Sequence, residues 1–102
     1  MCLVLLDQAK EDLANIAAYI ADESKSRQVG QKFVQRLLDK CQELASIKGS
    51  IGVERPELRK NLRSYPFGNY IIFFRYSDNH FKVVTIIEGH RDIEAIFNHS
   101  TI

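Results

Sequence analysis

The strongest constraint on the fold is a pair of apolar runs, YIIFFRY (70–76) and FKVVTIIE (81–88), separated only by the polar residues SDNH (77–80). Both runs are rich in the aromatic and β-branched residues that strands favour. A four-residue polar connection between two such runs is typical of a β-hairpin. The sequence therefore predicts that residues 70–88 form two antiparallel strands at the centre of a sheet.

The N-terminal half carries the pattern of two amphipathic helices. A short apolar run, CLVLL (2–6), has the form of a strand buried on both faces and precedes Asp7, which we expect to be the N-cap of the first helix. The apolar positions of that helix, from Gln8 to about Glu23, lie on one stripe: Ala9, Leu13, Ile16, Ala17 and Ile20. The residues off the stripe are predicted to face solvent: Glu11, Asp12, Asn15 and Asp22.

A second helix follows the polar segment SKSRQ (24–28), in which Ser24 and Ser26 are the two potential caps. Its apolar positions also recur at helical spacing: Phe33, Val34, Leu37, Leu38, Cys41, Leu44 and Ala45. Gly49 is the predicted stop. Because the loop between the helices is short, they should form an antiparallel hairpin that lays its apolar faces on the sheet.

The remaining segments complete an α+β domain. Residues 49–61 read as a polar connection, 62–65 as a short strand before a PFGN turn, and Asp92 as the cap of a short C-terminal helix with Ile93, Ile96 and Phe97 inside. The predicted fold is an N-terminal strand, a two-helix hairpin packed on a small, mainly antiparallel sheet, and a short last helix. We expect one domain, residues 1–102.

Composition narrows the class of protein. The net charge of +1 gives no global argument for nucleic-acid binding, so a basic site has to be local. Two cysteines, Cys2 and Cys41, are interpreted as buried thiols, which suggests a reducing compartment. The N-terminus has neither a basic leader nor a long apolar stretch, so we expect a cytoplasmic protein that does not cross a membrane.

One short stretch, GHRDI (89–93), resembles an active site because a base, a cation and an acid stand side by side. The same three letters occur in protein kinases, but the chain has no glycine-rich phosphate loop and is too short for a kinase. The three histidines lie in a hairpin loop, a strand end and a tail, without a cysteine pair, so we predict no metal site and no cofactor.

Several motifs, taken in order and spacing, resemble the RelE/ParE superfamily of toxins from type II toxin–antitoxin systems, and its ParE branch, the plasmid stabilisation proteins, most of all. They are A-x-x-D-L-x-x-I-x-x-Y-I (9–20), R-P-E-L (55–58), L-R-S-x-P-F-G-x-Y-x-I-F-F-R (62–75) and G-H-R-D-I with a closing phenylalanine (89–97). The resemblance implies a toxin that a ParD-like antitoxin neutralises in a hetero-oligomer. It also implies one of two targets, DNA gyrase or mRNA on the ribosome.

The positions of the RelE-type ribonuclease site favour gyrase over RNA cleavage. Relatives that cut RNA carry a basic pair, a central arginine and a C-terminal tyrosine; here the second basic position falls on Asn61, the arginine on Ile71 and the tyrosine on Phe97. Such cleavage needs a base, cations and an acid. If the protein were a ribosome-dependent endoribonuclease, the alternative function, the catalytic residues would be His90, Arg91 and Arg59. Otherwise no catalytic residue is expected.

The resemblance also suggests which residues meet the partners. The candidate target contacts are arginines: Arg59, Arg63, Arg75 and Arg91. The candidate antitoxin contacts are apolar and aromatic residues: Ile16, Tyr19, Ile20, Phe33, Leu37 and Tyr70. The antitoxin should bind the outer side of the helical hairpin and an edge of the sheet, and any contact with DNA would be indirect, through antitoxin or gyrase. A third interpretation is that the protein is a degenerate member of the family that only sequesters antitoxin.

Overall fold

The computed structural model describes residues 1–100 and 102. Its elements follow in the order β1 (Cys2–Leu5), α1 (Asp7–Ser24), α2 (Arg27–Ser46), β2 (Val53–Glu54), β3 (Arg63–Phe67), β4 (Tyr70–Ser77), β5 (His80–Glu88) and α3 (Ile93–Asn98). The strands form one five-stranded sheet in the order β1-β5-β4-β3-β2. All neighbours are antiparallel except β1 and β5, which are parallel. The predicted α+β architecture is confirmed.

The predicted hairpin of β4 and β5 is the centre of the sheet. Its turn residues Asp78 and Asn79 both have positive φ, 53° and 62°, the conformation that a two-residue type I′ turn requires and that Asp and Asn tolerate. The register shifts by one residue between Phe73 and Phe74. The unpaired extra residue of this β-bulge is Val84 of β5, the same strand that a carboxylate from α1 contacts.

The two helices form the expected hairpin, with different caps. Ser26 caps α2, since its hydroxyl accepts a hydrogen bond from the amide of Val29 at 3.3 Å. Asp7, the predicted cap of α1, is instead the first helical residue, and Leu6 at the N-cap position offers no side-chain acceptor. The capping prediction for Asp7 was therefore wrong by one position; its carboxylate lies in the first turn, where it still favours the positive end of the helix dipole.

The sheet has a hydrophobic core on each face. On the helical face, α1 and α2 cover strand residues that include Ile72, Phe74, Phe81 and Val83. On the opposite face, which we call the outer face, α3 and the 55–62 segment cover a second cluster: Leu58, Leu62, Phe73, Val84, Ile87 and Phe97. Because both faces are covered, consecutive residues of β4 are buried, and this explains the unbroken apolar run in the sequence.

Two expectations about the N-terminal and middle segments were wrong. β1 lies at the edge of the sheet, and Cys2 is exposed, whereas Cys41 is fully buried as predicted. The 49–61 connection contains the two-residue strand β2, which pairs with Arg63 and Ser64 of β3. A strand of two exposed residues leaves no periodic signal in the sequence.

Asp12, predicted to face solvent, is turned towards the sheet. Its Oδ2 accepts hydrogen bonds from Thr85 Oγ1 and from the amide of Ile86, the latter at 2.9 Å, while Gln8 donates to Oδ1 at 3.0 Å. The two strand residues directly follow the β-bulge on β5, where the ladder is irregular. The carboxylate therefore provides the acceptor that a neighbouring strand would otherwise supply.

Candidate functional surfaces

Two of the positions at which RNA-cutting relatives carry a central charge or an acid lie on the outer face of the sheet, and here both are apolar, Ile71 and Phe97. Phe97 is fully buried and packs edge-on against Phe73, with ring centroids 5.1 Å apart. Ile71 packs against the same cluster. Asn61 is exposed in a loop with a φ of 63°. Neither Phe97 nor Ile71 has a proton or a charge to offer, so this part of the face is a hydrophobic core.

Arg59 is occupied by α3 and the residues after it. Its guanidinium donates to the carbonyl oxygens of Phe97 (2.5 Å), Ser100 (3.2 Å) and Ile102 (3.0 Å), as well as to that of Leu58 at 2.7 Å. It also lies 5.3 Å from the centre of the Phe97 ring. A cation at the carbonyl end of a helix is favourable. Arg59 thus holds α3 against the sheet, a role that uses four of its five N–H donors and that sequence reasoning missed.

Arg63 is similarly engaged in structure. Its Nε donates to the carbonyl of Ile51 at 2.7 Å, and its terminal nitrogens reach the carbonyl of Gly52 (3.2 Å) and the carboxylate of Glu54 (3.3 Å). These contacts fix the loop that carries β2 against β3. Arg63 therefore keeps little hydrogen-bonding capacity for a target.

Arg75 differs, since no ion pair among residues 1–100 and 102 uses it. It is half-buried on the outer face, beyond the part that α3 covers, and stands opposite Lys82 in the β4–β5 pairing. An ion pair with Glu88, the carboxylate at the end of the partner strand, is not formed, because Glu88 lies opposite Tyr70 at the other end of the strands. Arg75 and Lys82 together form a small basic patch on the sheet, in which Lys82 also pairs with the carboxylate of Asp78 at 3.6 Å and Arg75 supplies the charge that is unpaired among the described residues.

His90 and Arg91 are exposed in the turn after β5. Asp92 is the N-cap of α3, as predicted, accepting from the amide of Ala95 at 3.2 Å. Arg91 lines a groove of about 570 Å³ between α1 and α3, with Tyr70 and Glu88 at the sheet end. Burial, together with the nearby charge of Glu88, raises the pKa of Tyr70 above its usual range. The HRD stretch thus contains one helix cap and two solvent-facing groups.

The candidate antitoxin contacts divide by exposure. Leu37, Ile16 and Tyr70 are buried in the helical-face core and present almost no surface to a partner. Tyr19 is 55% exposed, whereas Ile20 and Phe33 are half-buried. These last three residues expose the most surface in the free protein, while Ile16 and Tyr70 contribute only narrow strips to the lining of the groove between α1 and α3.

A surface of aromatic rings and cations, which the sequence did not indicate, adjoins Phe33. Its ring centroid lies 6.0 Å from that of Phe67 and 5.7 Å from that of Tyr70. Arg36 of α2 lies over the Phe67 ring at 5.7 Å. One turn further along α2, Lys40 lies over the ring of Tyr65 at 5.9 Å. The half-buried rings of β3 are therefore both core residues and the floor of a shallow surface beside α2.

Two further features bear on function. Within the described residues, no three histidine, cysteine, aspartate or glutamate side chains lie close enough together to bind a metal ion. None of the three helices there is both long and apolar enough to span a membrane.

Comparisons with known proteins identify one family by sequence and one similar fold. The family model for the "ParE toxin of type II toxin-antitoxin system, parDE" matches residues 3–93. Among solved structures, the chain is similar to one from the chromosomal ParDE toxin–antitoxin system of P. aeruginosa, with a TM-score of 0.73 and 19% sequence identity, covering 86% of this chain and 95% of the other. No curated protein sequence matches.

Proposed function

The chain belongs to the ParE toxin family of type II toxin–antitoxin systems, and from that premise we propose that it acts by binding DNA gyrase and that a ParD-type antitoxin neutralises it. In this proposal the protein is an inhibitor and not an enzyme. The observation that carries the proposal is the second hydrophobic cluster. Phe97 and Ile71 belong to this cluster, at the positions where RNA-cutting relatives have an acid and a central charge.

The other charged positions support the same proposal. RNA cleavage through the 2′-hydroxyl requires a proton donor and cations around one phosphate. Arg59 is committed to the carbonyls after α3, and Arg63 to the loop that carries β2. Because Arg59 and Arg63 make these contacts, neither of them can serve as a second cation beside His90 and Arg91. An inhibitor that acts by binding needs only an accessible surface, and Arg75 with Lys82 offers a basic one on the sheet.

The test is a pair of parallel assays with the purified protein. We expect it to inhibit the supercoiling of relaxed plasmid by gyrase and to leave linear DNA after detergent and protease treatment. In ribosomes programmed with mRNA we expect no new 5′ ends. Codon-specific mRNA cuts alongside unaffected supercoiling would establish the endoribonuclease alternative instead.

A variant tests the role of the basic patch. Arg75→Gln should weaken gyrase inhibition about tenfold, because it removes a charged contact at a partly buried interface. Lys60→Gln, which removes one exposed cation at another place on the surface, should leave inhibition unchanged. Equal inhibition by both variants would exclude the patch as the gyrase contact.

A further inference from the structure

One edge of the central hairpin is open over its second half. β1 pairs with His80–Val83 of β5 and no further, and its last hydrogen bond runs from the amide of Leu6 to the carbonyl of Val83. Beyond that point no described strand lies beside β5 on this side. The outer edge of residues 84–88 therefore faces the groove between α1 and α3.

The hydrogen bonds show which backbone groups point into that groove. The amide of Gly89 donates to the carbonyl of Asn69, across the hairpin, whereas the amide of Ile86 donates to Asp12 on the groove side. Successive residues of a strand direct their backbone groups to opposite sides. Ile86 and Glu88 therefore both present their amide and carbonyl to the groove.

Two of these four groups are already used, and the identity of the free pair limits what can bind. Asp12 accepts from the amide of Ile86, and the carbonyl of Glu88 accepts from the amide of Arg91 at 3.1 Å. In an antiparallel ladder, directly opposite residues exchange both hydrogen bonds, and here neither Ile86 nor Glu88 has both of its groups free for such an exchange. The free groups are instead the carbonyl of Ile86 and the amide of Glu88. In a parallel ladder, a single residue of the added strand forms hydrogen bonds with both members of such a pair.

The side chains around the groove suit an extended peptide that carries a carboxylate. Ile16 and Ile96 give it apolar walls, and Asn15 and Tyr19 line its rim. Arg91 lines the same groove just beyond the C-terminal end of β5, and no ion pair among the described residues uses its guanidinium. A parallel strand runs towards Arg91, so its acidic residue would follow the residue that pairs with β5.

We propose that this groove binds an extended segment of the antitoxin, which adds a short strand parallel to β5 opposite Ile87 and places an aspartate or glutamate side chain on Arg91. The inference rests on the proposed toxin–antitoxin pairing and specifies its chemistry. The opposite edge of the sheet, along β3, is less suited to strand addition. The β3–β4 register directs the backbone groups of Pro66 away from β4, and proline has no amide hydrogen to donate.

Amide exchange on the full-length toxin tests the strand addition. In the ¹⁵N-labelled protein, saturation with a full-length cognate ParD-type antitoxin should slow exchange of the Glu88 amide at least a hundredfold. The amide of Ile87 points to β4 and serves as the internal control, because it is already paired in the free protein. Slowed exchange at Leu3 and Leu5 with Glu88 unchanged would place the added strand on β1 and overturn the inference.

The charge contact is tested by calorimetric titration with the same antitoxin. Arg91→Gln should weaken binding about tenfold, since a charge-assisted hydrogen bond inside a covered groove is lost. Lys60→Gln should not change the affinity. If wild-type toxin binds while Arg91→Gln has no effect and Glu88 exchanges as before, the groove inference fails and the proposed function stands. If wild-type toxin does not bind antitoxin at all, both fail.

Discussion

Replacing Asp12 by alanine should destabilise the fold far more than a helix-surface aspartate normally does. The change removes the acceptor for Thr85 Oγ1 and for the amide of Ile86, and Thr85 is only 1% exposed. Each hydrogen bond to a charged group contributes about 1.5–3 kcal/mol. Asp12 is half-buried, so we take the lower end for both bonds and expect a loss of about 3 kcal/mol in the free energy of unfolding.

Urea unfolding followed by circular dichroism measures this loss. In a domain of this size each kcal/mol lowers the Tm by about 4–8 °C, so a fall of roughly 12–24 °C should accompany it. Asp22→Ala is the matched control on the same helix, because Asp22 is exposed and the change in helix propensity is identical. It should alter the free energy of unfolding by no more than about 0.5 kcal/mol.

A double-mutant cycle separates the two bonds. Thr85→Val removes the hydroxyl, so Asp12→Ala in that background should lose about 1.5 kcal/mol less than in the wild type. The remaining loss belongs to the amide of Ile86. If Asp12→Ala and Asp22→Ala have the same small effect, the carboxylate does not hold the edge of β5 and the reasoning is refuted.

Three further predictions concern helix packing, the attachment of α3 and thiol reactivity. Gly30→Ala should reduce the free energy of unfolding by about 1 kcal/mol or more, although alanine has a better helix propensity than glycine. The new Cβ would clash with the carbonyl oxygen of Ala17. Urea titration measures the change in the free energy of unfolding. Arg59→Met should lower stability by about 2 kcal/mol and speed amide exchange in α3, since the donors to the α3 carbonyls are lost. Burial raises the pKa of Cys41 to about 11. At pH 8 a thiol reagent should therefore modify one cysteine per native chain, the exposed Cys2. Cys41 should become reactive only as the pH approaches 11 or when urea unfolds the protein.

Each of these predictions has a control. Gln31→Ala is an exposed replacement one residue from Gly30 and should change stability by less than about 0.5 kcal/mol. Lys60→Met removes the exposed cation next to Arg59 and should leave the α3 amides unaffected. Rapid modification of two thiols in the native protein at pH 8 would contradict the burial of Cys41.

Local patterns predicted the elements, and contacts between distant residues explain what they missed. The β4–β5 hairpin, Ser26 and Asp92 were predictable because each depends on neighbours within a few residues. The contact of Asp12 with Ile86 spans 74 positions and that of Arg59 with Phe97 spans 38. Such contacts form only once the sheet has formed. An aspartate outside the apolar stripe of a helix gives the same sequence pattern whether its side chain contacts solvent or a strand.

The outer cluster explains why the exposed chemistry of this toxin lies at the margins of the sheet. In a fold of this kind the face opposite the helices can either stay open and carry charges or be filled and support the last helix. Here Phe73 and Phe97 fill it and Arg59 holds α3 in place. With both faces buried, the sheet can present partners only with its open edges and with the few cations that are free of internal contacts. Those features sit apart from one another, with Arg75 on the sheet beyond the cover of α3 and Arg91 in the groove beside β5. Dispersed cations suit contacts spread over a large partner surface better than the concentrated charge that cleavage of one phosphate requires.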